Sequence, residues 1–453
     1  MSHQNDSDKT LRLRVPGPEP TGRQPVPATS PLDLLAELTN ATPPESPLRT
    51  VRWRFKTWAP LVVLLTIVVT VVQMVRPLPE PSLALAREPQ HTFEGRTLHL
   101  PWPGEGQAAV EVEGVGTMGI RGEQTPAPIA SVAKTMTAYV ILQGHFLKGE
   151  EEGPLIEVDQ QAEDEAQAKD ESTASIRKNQ RFTEKQMLQL LMIPSANNVA
   201  RLLARWDSQS EEAFVQKMNA AARTLDMDDT TYTDPSGLRA TTVSTAADQL
   251  KLAKAVLQNE VFREIVDTPQ IKIRGVPGTI YNNNGRTLLE PGVNGVKTGS
   301  STPAGGNLLW SADTVVDGAK RRIIGAVFGI QTGATVDAKL QRAITHSITL
   351  IQAAQESLDS STVVKKSDVI GYVDDGLGGR SPVVATKDLK AVGWPGLRTK
   401  IRITDDGIPH SAPTGTVVGK VSVGTGTGTV SVPVALQDEL VEPGLRAKLA
   451  RMH

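Results

Sequence analysis

Ile129-Ala130-Ser131-Val132-Ala133-Lys134-Thr135-Met136-Thr137-Ala138-Tyr139 sets a serine and a lysine three residues apart at the start of an apolar run. Positions i and i+3 share a helix face, so both polar heads meet in one cleft. A serine hydroxyl alone is a weak nucleophile, and a desolvated lysine amine beside it acts as its base. Ala130 and Ala133 leave room around the pair, while Met136, Tyr139 and Val140 offer a face to a core. The segment reads as the start of a catalytic helix. A second Ser-x-x-Lys, Ser175-Ile176-Arg177-Lys178, lies in a charge-rich run with no apolar helix behind it and reads as solvated surface.

The 453 residues are enough for two or three domains and a sizeable core. A net charge of −2 gives no bulk electrostatic case for nucleic acid. With no cysteine, disulfides, thiol catalysis and cysteine zinc sites are all removed. Residues 1–56 carry many prolines and little apolar periodicity, and read as a disordered cytoplasmic tail. Residues 57–76 read as a transmembrane signal-anchor: Trp58 to Val75 is uncharged and rises roughly 27 Å as a helix. Arg49, Arg52, Arg54 and Lys56 on the leading flank, against Arg76 on the other, put the tail inside and the rest outside. Ala84-Leu85-Ala86 has a small-x-small cleavage pattern, but the long leading segment favours a retained anchor. Residues 77–91 read as a stiff Pro-rich spacer.

Beyond it, Ala108–Val112 and Gly116–Ile120 alternate around a turn as a hairpin does. Residues 148–181 read as a charged surface excursion. Thr183-Glu184-Lys185-Gln186 has capping-box spacing and opens an apolar helix that Pro194 stops. Helical patterns continue through Val199–Leu203, Phe214–Leu225 and Ala246–Leu257. Strands return at Asn307–Trp310 and Ile323–Phe328, and Ala343–Ala354 reads as a closing helix. This order gives an α+β domain over 92–355 with an inserted all-α region. Residues 361–442 are short β-branched runs broken by Gly and Pro, a small separate all-β domain.

Two further motifs join the first. Pro194-Ser195-Ala196-Asn197-Asn198 puts a hydroxyl and an amide at a helix junction, and Lys297-Thr298-Gly299-Ser300 puts a lysine, a hydroxyl and a glycine on the returning strand. A lysine and a hydroxyl there can hold a carboxylate, and the glycine lets a substrate backbone approach. Ser-x-x-Lys, Ser-x-Asn and Lys-Thr-Gly in this order resemble the signature of penicillin-recognising serine enzymes. Within that group the chain is similar to the D-alanyl-D-alanine carboxypeptidases, the low-molecular-weight penicillin-binding proteins. Asp234-Pro235-Ser236-Gly237-Leu238 and Val243–Asp248 also read like that family.

The resemblance implies a penicillin-binding, β-lactamase-like transpeptidase fold: an antiparallel sheet flanked by helices. It implies that Ser131 attacks the carbonyl between two D-alanines and that Lys134 takes its proton. Ser195 would relay a proton to the leaving amine, and Asn197 would bond a substrate amide and steady Lys134. Lys297 and Thr298 would hold the substrate carboxylate beside Gly299, and the N–H groups of Ser131 and Ser300 would form the oxyanion hole. No cofactor or metal is needed. The implied partners are peptidoglycan stem peptides ending in D-Ala-D-Ala and β-lactams as covalent inhibitors. The chain departs from the family in Arg239, where relatives often have an acidic residue, and in its leading tail and anchor. A class A β-lactamase needs a deacylating glutamate, and none occurs between Ala213 and Asn259. A D,D-endopeptidase or transpeptidase uses the same residues, and a membrane-tethered sensor of the same fold is the reading from outside enzymology.

Overall fold

The computed structural model describes residues 47–424 and 426–450, so most of the expected tail lies outside the described residues. The chain divides at Arg76/Pro77 into two units. In the first, one helix runs Pro47–Val75. It begins ten residues before the span expected from hydropathy. Proline suits a first helical turn, and no breaker follows between Val51 and Trp58. Val51–Val75 is long and apolar enough to cross a membrane, by length and composition. Its apolar side chains, Leu61, Leu64 and Val68 among them, are exposed.

The second unit is built on a five-stranded antiparallel sheet. Its order is Val293–Ser301, Gly305–Val316, Ala319–Ile330, Gln107–Val112 and Gly116–Arg121. The two-residue period of a strand sends alternate side chains to opposite faces. Ala108, Val110 and Val112, with Leu308, Trp310 and Ile323, therefore pack on one side under the helix Val336–Ser357 through Ile344, Leu350 and Ile351. Ala109, Leu309, Ile324, Ala326 and Phe328 face the other side. There the helices Lys134–Gly144, Glu184–Met192, Asn197–Ser208, Glu211–Thr224, Ala246–Val256 and Glu260–Asp267 gather. The class is α+β with an all-α block, as expected. Thr183 forms the anticipated capping box: its hydroxyl accepts from the Gln186 N–H, and Gln186 accepts from the Thr183 N–H.

The C-terminal strands form a seven-stranded sheet over its own core of Val363, Ile370, Val383, Val421 and Val434. Two of the seven come from the stretch expected to be a spacer. Ser82–Leu85 pairs with Gly371–Asp374, and Gln90–Thr92 pairs with Arg398–Lys400. Four and three residues are too short to declare a period. Leu83 and Leu85 nonetheless pack against the C-terminal core, and this burial fixes them. Trp394, 5% exposed, joins the core beneath Val336–Ser357, so the β region is packed against the first sheet rather than strung beyond it.

Candidate active site

The Ser131 segment opens as a 3₁₀ turn, Ala130–Ala133, and becomes an α-helix at Lys134. Ala130 sits at φ +48°, in the left-handed region, where a side chain other than glycine's is strained. The turn is wedged between two glycines that admit no Cβ. A methyl on Gly237 would lie 1.9 Å from the Ala130 carbonyl oxygen, and one on Gly299 would lie 2.6 Å from that of Ile129. Gly299 thus seats the strand on the Ser131 turn.

Lys134 is fully buried. Its Nζ lies 2.8 Å from Ser131 Oγ, donates to Asn197 Oδ1, and donates to the Ser236 carbonyl at 2.9 Å. Burial drives its pKa well below the ordinary lysine value, and the charges of Lys297 and Arg201 push the same way against Asp234 and Glu171. A neutral amine has two N–H bonds and one lone pair. The two obligate acceptors, Asn197 Oδ1 and Ser236 O, take the N–H bonds, and the lone pair is left for the Ser131 hydroxyl. This is the arrangement of a base beside its nucleophile.

The Ser236 carbonyl is held by a tight turn. Asp234 Oδ2 accepts from the Ser236 hydroxyl at 2.6 Å and from the Leu238 N–H at 2.9 Å, and Oδ1 accepts from the Thr242 hydroxyl at 2.6 Å. Thr137 Oγ1 ties the catalytic helix to the same turn through the Pro235 carbonyl.

Ser195, at φ +65°, is 2% exposed, and among the described residues its Oγ has no hydrogen-bond partner. Asn197 opens the next helix. Lys297 and Thr298 are buried in the strand Val293–Ser301, and Ser300 is partly exposed. Among the described residues Lys297 donates only to the Thr298 carbonyl, and burial lowers its pKa to about 7. The cluster therefore joins Ser131, Lys134 and Asn197 by direct bonds. Lys297 acts on it at close electrostatic range, and Gly299 touches its backbone. The other Ser-x-x-Lys, Ser175 to Lys178, has both named side chains exposed outside any helix.

The family profile described as D-alanyl-D-alanine carboxypeptidase matches residues 118–332, which hold all three motifs. That segment belongs to the D-alanyl-D-alanine carboxypeptidase family. A D-alanyl-D-alanine endopeptidase of Pseudomonas aeruginosa is 29% identical over 243 residues, covering 52% of this chain and 76% of the relative. The D-alanyl-D-alanine carboxypeptidase DacF of Bacillus subtilis is 34% identical over 155 residues, covering 33% of this chain but only 39% of the relative. The fold is shared with a peptidoglycan synthesis regulatory factor (PBP3) from Streptococcus pneumoniae. Their TM-score is 0.55 at 19% identity, over 76% of this chain and all of that one. The carboxypeptidase-family segment thus carries the match, and the fold likeness reaches past it.

Four contributors to this site escape a reading by motif. Asp234 was visible only as part of a family-like string, with nothing local to mark its carboxylate as a cap. Asn283 and Asn284 staple the site: Asn283 donates to the Pro194 carbonyl at 3.3 Å, and Asn284 donates to the Val296 carbonyl at 2.9 Å. The signal was the Asn282-Asn283-Asn284 run, which composition alone assigns to a turn. Glu171 belongs to the stretch expected to be a surface excursion. Its neighbour Ser172 accepts the Asn197 backbone N–H at 2.7 Å, so this part of the excursion forms a wall of the site.

Proposed function

We propose that the chain is a serine-type D-Ala-D-Ala carboxypeptidase that removes the terminal D-alanine from peptidoglycan stem peptides and is acylated by penicillins. The observation that carries this is the buried Lys134 amine 2.8 Å from Ser131 Oγ, bonded also to Asn197 Oδ1 and the Ser236 carbonyl. Ser131 Oγ adds to the carbonyl between the two D-alanines while its proton passes to Lys134. The C–N bond then breaks, the leaving amine takes a proton through Ser195, and an ester on Ser131 remains. Water attacks that ester and restores the hydroxyl. The Ser131 and Ser300 N–H groups face the oxyanion, each such donor contributing about 3 kcal/mol in the transition state. Lys297 and Thr298 hold the terminal carboxylate, and Asn197 holds a substrate amide.

The apolar stretch 57–76 is retained, with the Arg-rich flank inside and the peptidase outside. Cleavage after Ala86 would strip strand Ser82–Leu85 from its sheet, which favours retention. Residues 92–355 act as the catalytic domain and 361–442 as a β domain completed by the two preceding strands. A second reading, D,D-endopeptidase, is favoured by the name and 76% coverage of the Pseudomonas relative.

The test is acylation of the full chain by a fluorescent penicillin, with the labelled peptide mapped and products from a pentapeptide and a cross-linked muropeptide followed alongside. Label on Ser131 with D-alanine released from the pentapeptide is expected. Turnover of the cross-linked substrate alone selects the endopeptidase. Label without turnover selects a sensor, and folded protein with no label on Ser131 overturns the assignment.

A pH dependence follows from Lys297. Its pKa of about 7 means that the charge able to hold a carboxylate is present below that value and lost above it. For the pentapeptide, kcat/KM is expected to fall above about pH 7 on this limb. A bound carboxylate favours the ammonium, so the corresponding limb in kcat moves to higher pH. Paired profiles that coincide on the alkaline side would remove Lys297 from carboxylate binding.

A further inference from the structure

One acidic side chain at the cluster has no part in the chemistry above. Glu171 Oε2 accepts from Asn197 Nδ2 at 2.6 Å, and the same carboxylate is gripped by Arg201, with Nη2 to Oε1 at 2.8 Å and Nη1 to Oε2 at 3.2 Å. Both side chains are largely buried, 10% exposed for Glu171 and 14% for Arg201. Asn197 and Arg201 are four apart on one helix, so they present to the carboxylate from one face. Although burial pushes the Glu171 carboxyl up, its bonds from Arg201 and Asn197 hold it below the usual range, as an anion that only accepts.

We infer that Glu171, braced by Arg201, is a positioning residue that locks the Asn197 amide with its oxygen toward Lys134 and its nitrogen toward the carboxylate. This rests on the D,D-peptidase reading. An amide has nearly the same shape either way round, and shape alone does not choose. The carboxylate chooses, because a turned amide would set oxygen against oxygen at Glu171. With its oxygen fixed toward Lys134, Asn197 takes a lysine N–H and leaves the lone pair to Ser131. Turned over, its NH₂ would compete for that lone pair. The second Nδ2 hydrogen remains available to a substrate carbonyl. The negative charge has its own effect, since Glu171 and Asp234 favour the Lys134 ammonium while Lys297 and Arg201 oppose it.

Two variants of the full chain separate these roles, read as the rate of Ser131 acylation by a penicillin across pH, with thermal midpoints alongside. Glu171→Gln keeps an acceptor oxygen and removes the charge. Its maximal rate is expected within a few-fold of the parent, and its acid limb moves to lower pH because the Lys134 ammonium has lost a favourable neighbour. Glu171→Ala frees the amide, and its maximal rate is expected to fall on the order of ten- to a hundredfold. A maximal rate in Glu171→Gln that falls tenfold or more overturns the inference, whether or not the alanine variant folds. A folded Glu171→Ala protein with the parent rate also overturns it. Failure of the parent itself to be labelled on Ser131 overturns the peptidase reading and this inference with it.

Discussion

Replacing Lys134 by methionine is expected to slow acylation of Ser131 by about 10³- to 10⁴-fold, near the upper end of what a general base contributes. Methionine nearly matches the unbranched stem and leaves the fully buried volume filled. What disappears is one nitrogen that serves three groups: the Ser131 hydroxyl, the Asn197 amide oxygen and the Ser236 carbonyl. The two acceptors lose their donor, at about 1–3 kcal/mol for each one left without water. Removing an amine held against its own hydration offsets part of that cost. The protein should therefore fold with a modestly lower thermal midpoint. Stopped-flow acylation and a melting curve on the same preparation read both effects. A folded Lys134→Met protein that acylates at the parent rate would exclude Lys134 as the base.

The second large effect comes from a residue with no chemistry of its own. Gly237→Ala is expected to cost about 3–4 kcal/mol of folding stability and to slow acylation by about a hundredfold. Gly237 sits at φ +77°, which L residues rarely adopt, and its added methyl would lie 1.9 Å from the Ala130 oxygen and 2.5 Å from the Ala130 carbonyl carbon. Both atoms are backbone, so no rotamer change relieves the overlap. The turn must retreat from Ala130 and carry the Ser236 carbonyl away from Lys134. Gly278 is the control: φ is +78° and no atom lies within 4 Å of an added methyl. Gly278→Ala should cost only the backbone term, about 1 kcal/mol, and leave acylation unchanged. Equal effects in the two variants would refute the close-packing argument.

What could be read from the sequence is what short stretches encode. The Ser131–Lys134 pair, the capping box at Thr183 and the Ala108–Ile120 hairpin each depend on neighbours within a few positions, and each folds as its pattern says. The apolar run behind Ser131 then separated that Ser-x-x-Lys from its copy in the charge-rich run at Ser175. What could not be read depends on distant partners. Gly237 and Gly299 are indispensable only because Ala130 and Ile129 come to rest against them. Glu171 looks like one acid among many in a charged run, and its pairing with Asn197 and Arg201 emerges only when the excursion folds back. Strand Ser82–Leu85 has four residues, and its partners lie nearly three hundred positions along.

That strand also determines how the chain bears a load. Tension arriving at Pro77 reaches the bonds between Ser82–Leu85 and Gly371–Asp374 within a few residues. Gln90–Thr92, clamped to Arg398–Lys400, is a second stop along the same path. Only past both does the chain enter the sheet that carries Lys297. A pull on the leading segment therefore loads two pairings of the C-terminal sheet before it reaches the sheet that carries Lys297.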